Sequence, residues 1–369
     1  MCDRPFEAEA TWSLVIPTLN RFDVLCEAVR CAAEQTLPPK EIVVVDASAD
    51  AGKNGSRLGR MFDYQQTRLA YIEASERSSS IQRNAGIMHC SADVIFFIDD
   101  DCLMYPDYAE TIMAVYRADK TRQVAGILGS LAPEPYPPQG ARAEPGQGAP
   151  RDKAVFWRRL REIVFGRMSL FPYLGGYPEH ECPSLDTSVP YRLCKLMPGG
   201  YCSYRRSVIQ QVLFDEDLVF YVSGEDADAS YRASFQGALL EVPSAKVFHV
   251  GHPSARPDFY TKTLVRISNN AFWVQKHNPR RFRTKAWFLI RLARYLPGEA
   301  LYDLFDLFGG RQLSFPKTRG FLAALWPTLR LFCMPSSQVV QWYRGYLEHL
   351  FRRRERSEAN RRVSMNRMN

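Results

Sequence analysis

The sequence has no Cys-x-x-Cys pair, no internal repeat and no run approaching ~20 uninterrupted apolar residues. The last absence excludes an expected transmembrane helix. The N-terminal stretch, with Asp3, Arg4, Glu7 and Glu9, has no apolar core, so no signal peptide is expected. Nine cysteines are present, an odd number, and Cys26, Cys31, Cys90 and Cys333 fall in apolar or helix-like stretches. That is the pattern of scattered reduced thiols in a cytosolic protein. Apolar residues are not scarce, at 46% against 24% charged, which excludes extended disorder, collagen and small disulfide scaffolds. A chain of 369 residues can bury a large core, as two or three units or as one large α/β domain with an extension.

Net charge is modest, +8 from 48 basic and 40 acidic residues. It is unevenly spread: Gly345–Asn369 holds seven Arg and three Glu, an excess of +4. Such an end suits an anionic lipid surface or is simply solvated. No interleaved basic–aromatic strand pattern accompanies it, so a nucleic-acid partner is not expected.

Three short apolar runs stand out. Trp12–Ile16 ends at Pro17, Ile42–Val45 at Asp46, and Asp93–Ile98 at Asp99, Asp100 and Asp101. They are rich in β-branched and aromatic residues, as parallel strands buried on both faces are. Asp23–Gln35 has helical apolar spacing, and Ile81–His89 reads as a helix before the third run. The resulting β-α-β-α-β order carries polar residues at the carboxyl ends of its strands, where open α/β sheets bind ligands. Further on, six prolines and three glycines in residues 133–150 predict a flexible insert. An amphipathic basic stretch follows at Trp157–Phe165. Leu196–Tyr204 reads as strand or turn, Ala227–Phe235 as a helix, and Leu239–Val242 and Lys246–Val250 as two short strands. Phe259–Phe351 is helical in pattern, divided by Pro297, Pro316, Pro327 and Pro335. Within it Thr284–Leu296 joins a basic face to Trp, Phe, Leu and Ile, and suits either a core helix or a membrane interface.

Asp99–Asp101 at a strand end could converge on a hard cation, or form a solvated acidic turn. Asp46 could accept from a nucleobase or ribose, or cap a helix. Arg83 and Asn84, behind Ser78–Ser80, could meet a phosphate at a helix N-terminus or lie on the surface. Glu225-Asp226 could be a helix cap or hold a general base. His249 could be a metal ligand or structural, with His252 a competitor.

The ordered set PTLNR (Pro17–Arg21), VVVDASAD (Val43–Asp50), QRNAGI (Gln82–Ile87), FIDDD (Phe97–Asp101), GED (Gly224–Asp226) and VFH (Val247–His249) resembles the inverting family 2 glycosyltransferases of GT-A fold. The resemblance runs from Trp12 to His252, about two thirds of the chain. It implies a GT-A-type, mostly parallel sheet flanked by helices, in a catalytic domain over residues 1–255. A helical region over 256–350 and a basic tail over 351–369 would follow. Pro17, Thr18 and Asn20 would border the nucleotide, Asp46 would read the base, and Arg83 would lie near base or phosphates. Asp99 and Asp100 would belong to the nucleotide-sugar site, Asp99 nearer the ribose. Asp101 and His249 would hold Mn²⁺ or Mg²⁺, and Asp226 would be the catalytic base, with Glu225 the less favoured neighbour. Many family members carry two acidic residues after the second strand. Here Ala47 follows Asp46, so the donor is open between uridine and thymidine diphosphate sugars.

The implied activity is a single in-line displacement, moving a hexosyl or deoxyhexosyl group to a hydroxyl of a glycan or lipid-linked saccharide in surface polysaccharide or glycolipid synthesis. The implied place is the cytoplasm, or the inner face of a membrane. Two other classes compete. A sugar-1-phosphate nucleotidyltransferase would share the nucleotide half, but PTLNR stands where its Gly- and Arg/Lys-rich loop belongs. GED and VFH also argue against it. A non-catalytic nucleotide-binding module has only the basic tail in its support.

Overall fold

In β1 (Trp12–Thr18), β2 (Glu41–Asp46) and β4 (Val94–Ile98) every residue is buried. Alternate residues serve opposite faces, as the two-residue strand period requires. Leu14, Ile16, Ile42, Val44, Phe96 and Ile98 enter one core with α1 (Phe22–Ala33) and α4 (Tyr108–Ala118). Val15, Val43, Val45, Ile95 and Phe97 enter another, with α3 (Ser79–His89) and α5 (Arg206–Val212). Each such side chain contributes about 1.5–3 kcal/mol by leaving water.

The computed structural model describes residues 10–136, 178–218, 224–251, 258–277, 282–308 and 314–366. From residue 137 onward the expected insert lies outside these, as do Trp157–Phe165 and His252. The contacts divide the chain into two units. The first comprises Met1–Val155, Gly176–Glu216 and Glu225–Arg256, and the second Phe156–Gly175, Asp217–Gly224 and Pro257–Asn369.

The first unit is a nine-stranded sheet in the order β3-β2-β1-β4-β8-β6-β9-β5, with β7 (Arg192–Leu193) beside β9. Strands β3 (Arg68–Glu73), β2, β1 and β4 are mutually parallel. Strand β8 (Tyr201–Arg205) runs antiparallel to β4 and to β6 (Val124–Ala132). β9 (Ala238–His249) runs parallel to β6, and β5 (Cys102–Met104) runs antiparallel to the end of β9. The chain steps from β1 to β2 to β3 on one side, then returns to place β4 on the other. That reversal opens a crevice at the carboxyl ends of β1 and β4, where open α/β sheets bind ligands.

Three expectations need correction. A further pair, α2 (Ala51–Met61) and β3, intervenes between the second and third runs. The two short strands near the end of the domain are one, β9, whose register against β6 shifts between Leu128 and Ser130. In the helical region Pro316 opens a helix and Pro335 precedes one, but Pro297 and Pro327 lie inside helices.

The second unit contains α7 (Phe259–His277), α8 (Phe282–Phe308), α9 (Pro316–Cys333) and α10 (Ser336–Asn366). Its core holds Ile267, Phe272 and Trp273 of α7, Phe288, Leu292 and Tyr295 of α8, Phe321 and Leu331 of α9, and Tyr343 and Leu347 of α10. Helix α10 carries the basic end of the chain, so no helix boundary falls at residue 351. No helix among the described residues is long and apolar enough to cross a membrane.

Helix α3 approaches β1 unusually closely at Gly86. A Cβ built there would stand 2.3 Å from Val15 Cγ1. Gly86→Ala is therefore expected to cost about 1–3 kcal/mol by overpacking. Urea unfolding reads it, and a wild-type midpoint would contradict the close approach.

Candidate active site

The PTLNR turn leaves β1 with Asn20 in the left-handed region, φ 55°, which Asn tolerates better than most residues. Its backbone N–H donates to Ser48 Oγ at 2.7 Å, tying this turn to the one after β2. Buried Gln82 of α3 holds the same two strand ends together, its Nε2 donating to Thr18 O at 2.9 Å and Val45 O at 2.7 Å. Pro17 and Thr18 thus end β1 at the crevice, and exposed Asn20 stands at its rim.

The three aspartates after β4 point three ways. Asp100 turns inward and is 3% exposed, accepting from Thr18 Oγ1 at 2.7 Å and Arg21 Nη1 at 2.9 Å. Burial raises its pKa, and Arg21 and Thr18 oppose the rise. Asp100 therefore anchors the turn from within and does not face the opening expected of a nucleotide-sugar ligand. Asp99 is partly exposed, and its Oδ1 accepts from Arg83 Nη2 at 3.0 Å. Asp101 lies 3.2 Å from His249 Nε2 through Oδ1, and 3.5 Å from Arg21 Nη1 through Oδ2.

The meeting of Asp101 and His249, 148 residues apart in sequence, follows from strand register. Cys102 pairs with His249 across β5 and β9, and Val250 N donates to Asp101 O at 2.9 Å. A carboxylate and an imidazole 3.2 Å apart match neighbouring ligands of an octahedral ion, whose bonds of about 2.1 Å set an edge near 3 Å. One hard oxygen with one imidazole nitrogen suits Mn²⁺. The Cys102 thiol is also close, but burial drives its pKa well above the ordinary value and it stays a neutral core side chain.

Arg83 is not a surface residue. It is 4% exposed and bridges Asp99 to Glu225, with Nη1 2.9 Å from Glu225 Oε1. Its guanidinium also lies over the Phe214 ring, 5.3 Å from the centroid. Neighbouring carboxylates hold it protonated against the cost of burial. Gly199 and Gly200 make room for this bridge. A Cβ at Gly199 would be 2.8 Å from the Arg83 guanidinium, and one at Gly200 2.7 Å from Asp99 Oδ2.

Glu225 and Asp226 open α6 (Glu225–Ala233), directly after Gly224 at φ 118°. Glu225 Oε1 is occupied by Arg83 and by Ser79 Oγ, 3.1 Å away. Asp226 Oδ1 accepts from Ala227 N at 2.8 Å, a first-turn N–H that has no partner within the helix. Burial, reinforced by the Glu225 charge beside it and opposed by Arg83, pushes the Asp226 carboxyl up to about 7. Asp226 is thereby poised to exchange a proton near neutrality.

Asp46 is fully buried. Its Oδ1 accepts from Ser48 N and Oγ, and its Oδ2 from Asn54 Nδ2 at 3.0 Å and Tyr71 OH at 2.6 Å. The carboxylate expected to read a base is thus engaged by the chain's own donors and shapes the turn after β2. Reading the sequence alone missed Arg21, Ser79, Tyr71 and Asn54 as partners of these acids. Only Arg21, inside PTLNR, and Ser79, inside the serine run, carried any signal.

Residues 13–168 match the model of glycosyl transferase family 2, and the first unit has the GT-A fold. An uncharacterized glycosyltransferase of Bacillus subtilis, YwdF, is 35% identical over 99 residues, 27% of this chain and 35% of its own length. Glycosyltransferase GlyA of Streptococcus pneumoniae is 31% identical over 111 residues, 29% of this chain and 16% of its own. The matched region thus spans about a third or less of these relatives. Among solved structures, the mannosyltransferase PcManGT of Pyrobaculum calidifontis, in complex with GDP-Man and Mn²⁺, aligns with TM-score 0.50 at 15% identity, covering 88% of each chain.

Proposed function

We propose that this family 2 domain transfers a sugar, with inversion, from a nucleoside diphosphate sugar to a hydroxyl of a glycan or lipid-linked saccharide. The observation that carries the reading is one near-neutral carboxyl, Asp226, at the same edge of the sheet as Asp99, Asp101 and His249. Asp226 takes the acceptor's hydroxyl proton. The acceptor oxygen then bonds to the anomeric carbon as the bond from that carbon to the diphosphate oxygen breaks. The nucleoside diphosphate departs with the electron pair. One carboxylate acting as base gives one displacement, and hence inversion. A retaining route by double displacement would need a second, nucleophilic carboxylate, and Glu225 is held by Arg83 and Ser79.

Asp101 and His249 would hold a divalent ion, Mn²⁺ or Mg²⁺, which when bound neutralises charge growing on the diphosphate. Asp99 would face the ribose. Pro17, Thr18 and Asn20 would border the nucleoside, and Asp46 would act through the turn that it orders. The donor is a uridine or thymidine diphosphate sugar. Arg83 would act on the phosphates through Asp99. The eight described cysteines are all free thiols, which supports a cytoplasmic setting.

The test is calorimetry of UDP and dTDP with and without Mn²⁺. Affinity should depend on the ion, and Asp101→Ala or His249→Ala should remove most of that dependence. Unchanged Mn²⁺-dependent affinity in both variants would overturn the metal assignment. Release of nucleoside diphosphate from a panel of nucleotide sugars then identifies the donor.

A further inference from the structure

Helices α8 and α9 lie side by side and antiparallel. Lys285 Nζ donates to Phe332 O at 2.9 Å, and the Phe288 and Phe332 rings sit 5.6 Å apart. At the opposite end the Asp303 carboxylate accepts from the backbone N–H groups of Lys317, at 3.3 Å, and Thr318, at 2.7 Å. Their inner sides fill the core of the second unit through Phe288, Leu292, Phe321 and Leu331. Their outer sides are apolar as well. Phe282 is 80% exposed and Trp326 60%, and Trp287, Ile290, Leu322 and Leu329 are each half exposed or slightly more. Leu322, Trp326 and Leu329 are spaced i, i+4, i+7, so they form one stripe on α9. Large side chains this concentrated are unusual on a surface that meets only water.

Among the described side chains, the exposed charge on these helices is of one sign. Arg283 and Arg294 of α8 and Arg319 and Arg330 of α9 are exposed. The carboxylates among the described side chains are Glu299 and Asp303, each 4% exposed. Glu299 pairs with Arg266 at 2.8 Å, and Asp303 caps α9. Trp326 continues into α10 through Trp342 at 5.6 Å and Tyr346 at 5.9 Å, and exposed Arg352 and Arg353 follow on that helix.

We infer that the outer face of α8 and α9 docks on an anionic lipid surface, lying along it without crossing it. Trp, Phe, Leu and Ile would enter the headgroup boundary while flanking arginines meet lipid phosphates, the arrangement of interfacial helices. The charge decides the occupant. A second copy of the chain would bring the same arginines against themselves, whereas an anionic surface complements them. The inference is independent of sugar transfer.

The test is co-sedimentation of the full chain with phosphatidylglycerol–phosphatidylcholine vesicles and with pure phosphatidylcholine vesicles, at low and high salt. The chain should pellet with the anionic vesicles and be released by salt, because screening weakens surface charge. Trp326→Ser combined with Leu329→Ser should reduce the partition at least about tenfold, since it removes inserted apolar area. Arg294→Glu with Arg330→Glu should do the same on anionic vesicles alone. All four side chains are exposed, and an unchanged melting temperature separates lost docking from lost folding. Failure to pellet with anionic vesicles, or equal pelleting by the serine variant, would overturn the inference. So would a dimer in solution that the serine variant dissociates, because the face would then belong to a second copy.

Discussion

Asp226→Asn should lower sugar transfer by at least about 10²-fold while leaving nucleoside diphosphate affinity near normal, since a general base contributes typically 10²–10⁴-fold. The same substitution should raise stability at pH 8. The folded-state pKa of Asp226 lies near 7, above the ordinary value of 3.8, so the folded chain binds a proton that the unfolded chain has released. The group therefore costs stability as pH rises from about 4 through 7, and the full cost is present above 7. Asn carries no charge and removes that cost, a gain present at pH 8 that vanishes below pH 4. As a mere helix cap Asp226 would behave otherwise. Asn caps about as well as Asp, so the rate would not move. Single-turnover transfer and thermal melts at the two pH values read both effects. An Asn variant transferring at close to the wild-type rate ends the base assignment. Wild-type transfer itself should rise with pH through about 7, because only the ionised carboxylate accepts the proton.

The sheet was legible where burial is complete. Runs such as Ile42–Val45 are apolar on both faces because helices cover both. Helix α2 was not legible. It carries Gly52, Gly55 and Gly59 and buries only Ala51 and Leu58, so it has no apolar stripe. Of its glycines Gly55 serves tertiary contact, since a Cβ there would meet the Tyr71 ring at 2.8 Å. Strand β3 is a half-exposed edge whose apolar run, Leu69–Ile72, is only four residues long and is flanked by Arg68 and Glu73. Strand β9 read as two because Pro243-Ser244 interrupts its apolar pattern at the register shift. Pro297 and Pro327 read as breaks because a proline removes one helical hydrogen bond. Buried residues on either side, Tyr295 before Pro297 and Ala324 and Leu331 around Pro327, keep each helix packed through the interruption.

The site divides in the same way. Residues that end strands were visible because an acid stands out directly after an apolar run, as Asp46 does after Ile42–Val45 and Asp99–Asp101 do after Val94–Ile98. Their partners were not visible, because Tyr71 is 25 residues from Asp46 and Glu225 142 from Arg83, and only the folded sheet sets those distances. The roles of the acids depend on those partners. Burial with Thr18 and Arg21 makes Asp100 an anchor, and the adjoining register of β5 and β9 makes Asp101 the neighbour of His249.

Arg83→Met should have the largest effect on stability of any single change at the site. The arginine is buried between Asp99 and Glu225, and removing one partner of a buried ion pair costs about 3–5 kcal/mol, because the other charges stay behind without compensation. Its role extends to chemistry. Arg83 opposes the rise in the Asp226 pKa, so its loss should move the acid limb of the transfer–pH profile to higher pH. Arg83→Lys separates the two effects. It keeps the charge, and so most of the position of the acid limb, but lacks the planar fork that reaches both carboxylates at once. Lys should therefore melt between wild type and Met, with an acid limb close to wild type. If Met fails to fold, Lys still carries the test through its melting temperature. An Arg83→Lys protein with wild-type stability would show that the two-carboxylate bridge is not what holds the aspartate turn against the α6 terminus. A folded Met variant with an unmoved acid limb would show that Arg83 does not tune the base.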